Sequence, residues 1–136
     1  MQTFKISDKE LWNNINSNFG NKGGLYKLIC YESGKPKSIN RFLSSDNNGV
    51  LYIGKATSYL DRVITLKKSL DYNNYIDTNH ECGARYKTHP TIKDLFHFEE
   101  LHIELTPSDN PSELERKELK EYYFSFGELP PLNRQG

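Results

Sequence analysis

Two apolar runs fix most of what this chain can fold into. GLYKLICY (residues 24–31) and LYIGKA (51–56) are rich in aliphatic and aromatic side chains and are flanked by turn-forming residues, the pattern of buried strands. Each run also sets a tyrosine beside a glycine, as Gly24-Leu25-Tyr26 and Tyr52-Ile53-Gly54, with Lys55 directly after the second glycine. A glycine inside a strand weakens it, so a core strand needs neither. The pair points to a close approach of backbone or to a site.

The flanking sequence completes an alternating set of elements. Ser7-Asp8-Lys9-Glu10 has the capping-box pattern ahead of Leu11, Trp12, Ile15 and Phe19, which predicts an N-terminal helix over about 7–19, ended near Gly20. Residues 32–49 are polar and turn-rich, and Asn48-Gly49 leads into the second strand at 50–55. Thr57 or Ser58 caps a helix that reaches Leu70, with Leu60, Val63, Ile64, Leu66 and Leu70 apolar. Residues 71–89 read as irregular, 90–96 as a short helix and 98–105 as a strand with a polar start. Pro111 follows Asn110 at the favoured first helical position and opens a helix to Phe126, which Gly127 ends. The expected fold is α+β: one domain over residues 1–136, with a small three-stranded antiparallel sheet flanked by helices. Trp12 reads as a core residue rather than a base-stacking platform.

Composition narrows the function classes. No window approaches the ~18 apolar residues of a membrane span, and MQTFKISDKE lacks the apolar stretch of a secretory signal. Cys30 and Cys82 have no CxxC partner. These features predict a cytoplasmic protein with reduced thiols and no membrane partner. The formal net charge is zero but unevenly spread. Residues 1–56 carry eight Lys/Arg against four Asp/Glu, whereas residues 98–136 carry four against nine. A basic wall suits a polyanion, and an acidic one suits a metal or faces away. His80, Cys82 and His89 match no standard zinc spacing.

Single residues carry little weight, but their order does. Glu115, Leu119, Tyr122 and Phe126 share one helical face, so Glu115 falls on the side that docks on the sheet, where a carboxylate is costly unless paired or metal-bound. Gly-Leu-Tyr at 24–26, Tyr-Ile-Gly-Lys at 52–55, Arg62 ten positions beyond Tyr52, a helix glutamate, and Asn133 within PPLN resemble the GIY-YIG nuclease family. The resemblance covers residues 24–133 in the family's order, and its most specific part is the spacing from YIG-K to the arginine. It departs from compact relatives in the long insertion at about 32–49, which looks like those of restriction-type members.

The resemblance implies hydrolysis of DNA phosphodiester bonds by one divalent metal, Mg²⁺ or Mn²⁺, in a restriction, mobile-element or repair enzyme. It implies catalytic roles for Tyr26, Tyr52, Lys55, Arg62, Glu115 and Asn133. Arg62 would bind phosphate oxygens and Glu115 the metal, with Glu118 as the alternative ligand. Tyr26 is expected to activate water with Tyr52 as its partner, an assignment that can be exchanged, and Lys55 to favour a tyrosinate. Asn133 is expected to orient a phosphate, a water or the metal carboxylate. Gly54 shapes the substrate site. Lys35, Lys37 and Arg41 in the insertion, together with His80 and Arg85, are expected to touch DNA. Sequence specificity would come from the insertion and loops or from a homodimer. The alternative is a non-catalytic nucleic-acid-binding module of the same fold.

Overall fold

The computed structural model describes residues 2–71 and 81–133. The chain runs β1 (Gln2–Lys5), α1 (Leu11–Phe19), β2 (Gly24–Glu32), three two-residue strands β3 (Lys35–Pro36), β4 (Ile39–Asn40) and β5 (Ser45–Asp46), then β6 (Val50–Ala56), α2 (Tyr59–Leu70), α3 (Glu81–Thr88), α4 (Pro90–Leu95), β7 (Leu101–Pro107) and α5 (Pro111–Phe126). β2 is central. It pairs antiparallel with β6 on one side and with β7 on the other, and its far end pairs with β3. β1 pairs antiparallel with the outer edge of β7.

The sheet therefore has four to five antiparallel strands rather than the expected three. The strand not anticipated, β1, reads QTFK and shows no clean apolar alternation. It is a strand because the edge of β7 offers partners, from Gln2↔Leu105 to Lys5↔His102. The insertion is also more ordered than its composition suggests. β4 and β5 form a small hairpin anchored by Asp46, which is fully buried. Its carboxylate accepts from the Asn48 amide at 2.8 Å, the Val50 amide at 3.2 Å and the Tyr122 hydroxyl at 2.9 Å, so a buried charge is fully partnered.

The alternation of β2 sorts the core into two layers. Leu25, Val50 and Ile53 meet Tyr122 of α5, with Leu114, Leu119 and Phe126 around them. On the opposite face Tyr26, Leu28, Cys30, Leu51 and Ala56 meet Leu11, Ile15 and Phe19 of α1 and Tyr59, Val63, Leu66 and Leu70 of α2. Each large side chain so buried contributes about 1.5–3 kcal/mol. The pairing shifts between Leu28 and Ile29, which leaves Leu51 as an extra residue in β6. This bulge lets Leu51 and Tyr52, neighbours in sequence, both pack on the second face.

Two helices and the start of one strand differ from expectation. The buried stripe of α1 is Leu11, Ile15 and Phe19, which leaves Trp12 at 48% exposure, outside the core. No side chain caps α1 in the capping-box manner; Asp8 instead accepts from the Glu10 amide at 2.9 Å. Within the segment read as irregular, residues 81–88 are helical. Gly83 lowers local helix propensity, but it lets α3 press against α2, where a Cβ would collide with the Ser69 side chain. The strand after α4 begins at Leu101, behind a single 3-10 turn at Phe98–Glu100. α5 ends as predicted: the Asn110 side chain accepts from the Glu113 amide at 3.3 Å, and Gly127 takes the left-handed conformation with φ 76°. Among the described residues, no helix is long and apolar enough to cross a membrane, and the two buried cysteines form no disulfide.

Candidate active site

The two glycines are explained by what lies over them. Tyr26 is opposite Gly54 in the β2–β6 pairing, and a Cβ at Gly54 would stand 2.5 Å from Tyr26 Cζ and 2.7 Å from Tyr52 Cε1. Gly54 thus opens the space in which the two tyrosine rings meet, with centroids 5.9 Å apart. Gly24 makes room for Tyr59, whose hydroxyl donates to the Leu25 carbonyl at 3.0 Å; a Cβ at Gly24 would come within 2.6 Å of that oxygen. The same Cβ would stand 2.4 Å from the Thr106 carbonyl and 2.6 Å from the Ser108 amide, so the first glycine serves the approach of the β7 end as well as helix docking, and the second serves the tyrosine pair.

Arg62 joins the tyrosines. It leaves the first turn of α2, and its guanidinium lies near both phenols, whose ring centroids are 5.9 Å apart. Burial pushes both phenols above the ordinary tyrosine range; for Tyr26 the neighbouring Tyr52 adds to this, for Tyr52 the buried Cys82 does, and Arg62 opposes it in both. Both are therefore neutral hydrogen-bonding groups around pH 7. Lys55 does not favour a tyrosinate as expected. It projects from the α5 face of β6, and its Nζ donates to Ser112 Oγ at 3.0 Å. Tyr26 is completely buried, whereas Tyr52 is only partly so. Of the two tyrosines, whose roles the expectation left exchangeable, Tyr52 is therefore the one with exposed surface.

Glu115 reaches the same place from the opposite face of the sheet. Its half-buried carboxyl is raised above its usual value of 4.5 by burial, against the pull of Lys55 and then Arg62. Among the described residues it makes no hydrogen bond or ion pair, and no three His, Cys, Asp or Glu side chains converge to form a metal cluster. Glu118, the alternative, is engaged elsewhere in an ion pair with Lys27 at 3.1 Å. Of these groups Arg62 lines a cleft of about 580 Å³ at the end of β6, together with Lys55, Thr57, Ser58, Asp61 and Ser112. A single carboxylate suits a weakly held Mg²⁺ that takes its remaining ligands from water and substrate. Ser112 was not anticipated; its only sequence signal is its place in the first turn of α5.

The remaining candidates sit differently. Asn133 has both amide atoms on one residue: its Oδ1 accepts from the Ile53 amide at 2.9 Å and its Nδ2 donates to the Ile53 carbonyl at 3.0 Å. It pins strand β6 between Tyr52 and Gly54, leaving one N–H and one oxygen lone pair of the amide for any further contact. Arg85 donates to the Leu132 carbonyl. Arg41 is nine-tenths buried, pairs with Glu128 at 2.9 Å and donates to the Leu129 carbonyl. Lys37 donates to the Leu95 carbonyl at 2.7 Å and lies 3.5 Å from Glu32. Of the three insertion cations, only Lys35 is exposed with no internal partner. Lys37, Arg41 and Arg85, expected to touch DNA, thus each make contacts within the protein. His80 lies outside the described residues. No family model matches the chain, nor does any curated protein or solved structure.

Proposed function

We propose that this chain is a DNA endonuclease of the GIY-YIG type, using Arg62, Tyr52 and Glu115 around the end of β6. One observation carries this reading: Arg62 lines a cleft at the end of β6, and its charge reaches both strand tyrosines and a Glu115 carboxylate that approaches from the other face of the sheet with no hydrogen bond or ion pair among the described residues. A guanidinium beside an open carboxylate is the pairing that an anionic phosphodiester and its metal require.

In this reading Arg62 donates to the non-bridging oxygens of the scissile phosphate, where charge grows during attack. The partly exposed Tyr52 hydroxyl orients the attacking water, and the buried Tyr26 fixes Tyr52 and Arg62 from below. Lys55 and Ser112 line the path of the phosphate backbone. Mg²⁺ or Mn²⁺ on Glu115, when bound, supplies charge neutralisation at the leaving oxygen. Cutting both strands of a duplex takes either two encounters or a homodimer. The test is incubation with supercoiled plasmid with and without Mg²⁺, followed by mapping of the ends. Metal-dependent nicking, lost in Arg62→Ala and in Glu115→Gln, supports the reading. Tight DNA binding by a wild-type protein that never cleaves would instead favour the binding-module alternative.

A further inference from the structure

The segment that follows α5 closes the outer edge of β6. Leu132 is fully buried, and its amide donates to the Leu51 carbonyl at 2.8 Å. Asn133 takes both backbone groups of Ile53. Every one of these bonds falls on a residue flanking Tyr52, and together they satisfy backbone groups that an open strand edge would expose. The strap is held from above by Arg85, whose Nη1 donates to the Leu132 carbonyl.

Arg85 stands on a firm base. α3 is pressed onto α2 at Gly83, beside the buried Ser69, and the flanking Cys82 and Tyr86 are buried too. The Tyr86 hydroxyl donates to the Phe96 carbonyl at 2.6 Å. α2 is the helix that carries Arg62. One rigid helix pair thus holds Arg62 directly and, through Arg85 and the strap, the β6 backbone on both sides of Tyr52.

We propose that Arg85 is a positioning residue: it locks the Leu132–Asn133 strap onto β6 and so fixes Tyr52 against Arg62, rather than contacting DNA. The catalytic half of this inference rests on the nuclease reading, whereas the strap itself does not.

Two measurements separate them. The first is amide hydrogen exchange of the full chain. In Arg85→Ala the Ile53 and Leu132 amides should exchange about tenfold to a hundredfold faster, as expected for loss of a charged hydrogen bond, while amides between β2 and β7 stay protected. The second is plasmid nicking. The same variant should lose roughly tenfold to a hundredfold in kcat with KM unchanged, since a small misplacement of catalytic groups slows chemistry and not binding. Arg85→Lys, which keeps a donor, should recover part of both. Unchanged protection of Ile53 in Arg85→Ala overturns the proposal. So does a raised KM with intact kcat and a shallower salt dependence, which would make Arg85 a DNA contact. Faster exchange with wild-type kcat leaves a purely structural strap and overturns the positioning role. If wild type cleaves nothing, the nuclease reading fails and the exchange data alone decide whether Arg85 holds the strap. Should Arg85→Ala not fold, Asn133→Ala, which frees Ile53 directly, carries the same two measurements.

Discussion

Tyr26 and Gly54 face each other across the central strand pair, and the tyrosine ring fills the space that any side chain at position 54 would need. This one relationship allows two buried-strand tyrosines and a helix arginine to converge.

Gly54→Ala is predicted to damage that convergence. The added methyl must displace both rings, an overpacking that costs about 1–3 kcal/mol. Thermal unfolding should register the loss, and nicking should fall further than the lost stability explains. A variant that is stable and fully active would mean the two rings need not meet.

Arg62→Ala is predicted to slow cleavage by roughly a hundredfold to a thousandfold, the usual effect of removing one preorganised donor. Arg62→Lys should recover little, because a point charge cannot serve two phenols and a phosphate with the planar fork of a guanidinium. Rates at saturating Mg²⁺, with binding followed separately, decide the matter. Loss of affinity without loss of rate would move Arg62 out of the reaction.

The two helix glutamates should separate cleanly. Glu115→Gln is predicted to abolish cleavage while DNA binding is kept or improved, since a negative charge beside a polyanion is removed. Glu118→Gln breaks only the ion pair with Lys27 and should leave the rate within a few-fold of wild type. The reverse pattern would make Glu118 the metal ligand.

Glu115 should also leave a signature in stability that does not depend on activity. Burial raises its carboxyl above 4.5, so the folded protein holds this proton more tightly than the unfolded chain. The stability that this proton provides is present below pH 4.5 and is lost as pH rises through the folded value. Glu115→Gln should therefore melt at a higher temperature than wild type at pH 7, and the difference should shrink to nothing below about pH 4. Melting curves across this range test it; equal stability at pH 7 would show that the carboxylate is solvated or already paired.

The insertion should divide by residue. Lys35→Ala is predicted to weaken DNA binding and reduce the logarithmic salt slope by up to about 0.9, the share of one phosphate contact. Arg41→Ala should leave that slope unchanged and instead destabilise the fold by about 1–3 kcal/mol, because Glu128 and the Leu129 carbonyl lose their donor. Affinities at several salt concentrations, beside denaturant curves, separate the two; a salt slope that follows Arg41 would return it to the DNA.

The sequence by itself determined the local elements and the order of the candidate residues. The β2 and β6 runs, the Asn110-Pro111 opening and Gly127 ending of α5, and the placement of Glu115 on the docking face of α5 all follow from short-range pattern, because caps, turns and side-chain period act over a few residues. Tertiary structure alone decided what those residues touch. β1 exists because β7 presents an open edge, and α3 because Gly83 fits over Ser69. Arg41 and Lys37 read as free cations until Glu128 and the Leu95 carbonyl, distant in the chain, arrive beside them. Asn133 reads as a free amide until both of its polar atoms are found bonded to Ile53. The tyrosines project from one face of the sheet and Glu115 approaches from the other, and the charge of Arg62 reaches all three only because β6 lies beside β2 with its end between α2 and α5. A side chain's partners are set by distance in space, which a linear pattern does not encode, and that is why the residue types were legible and their roles were not.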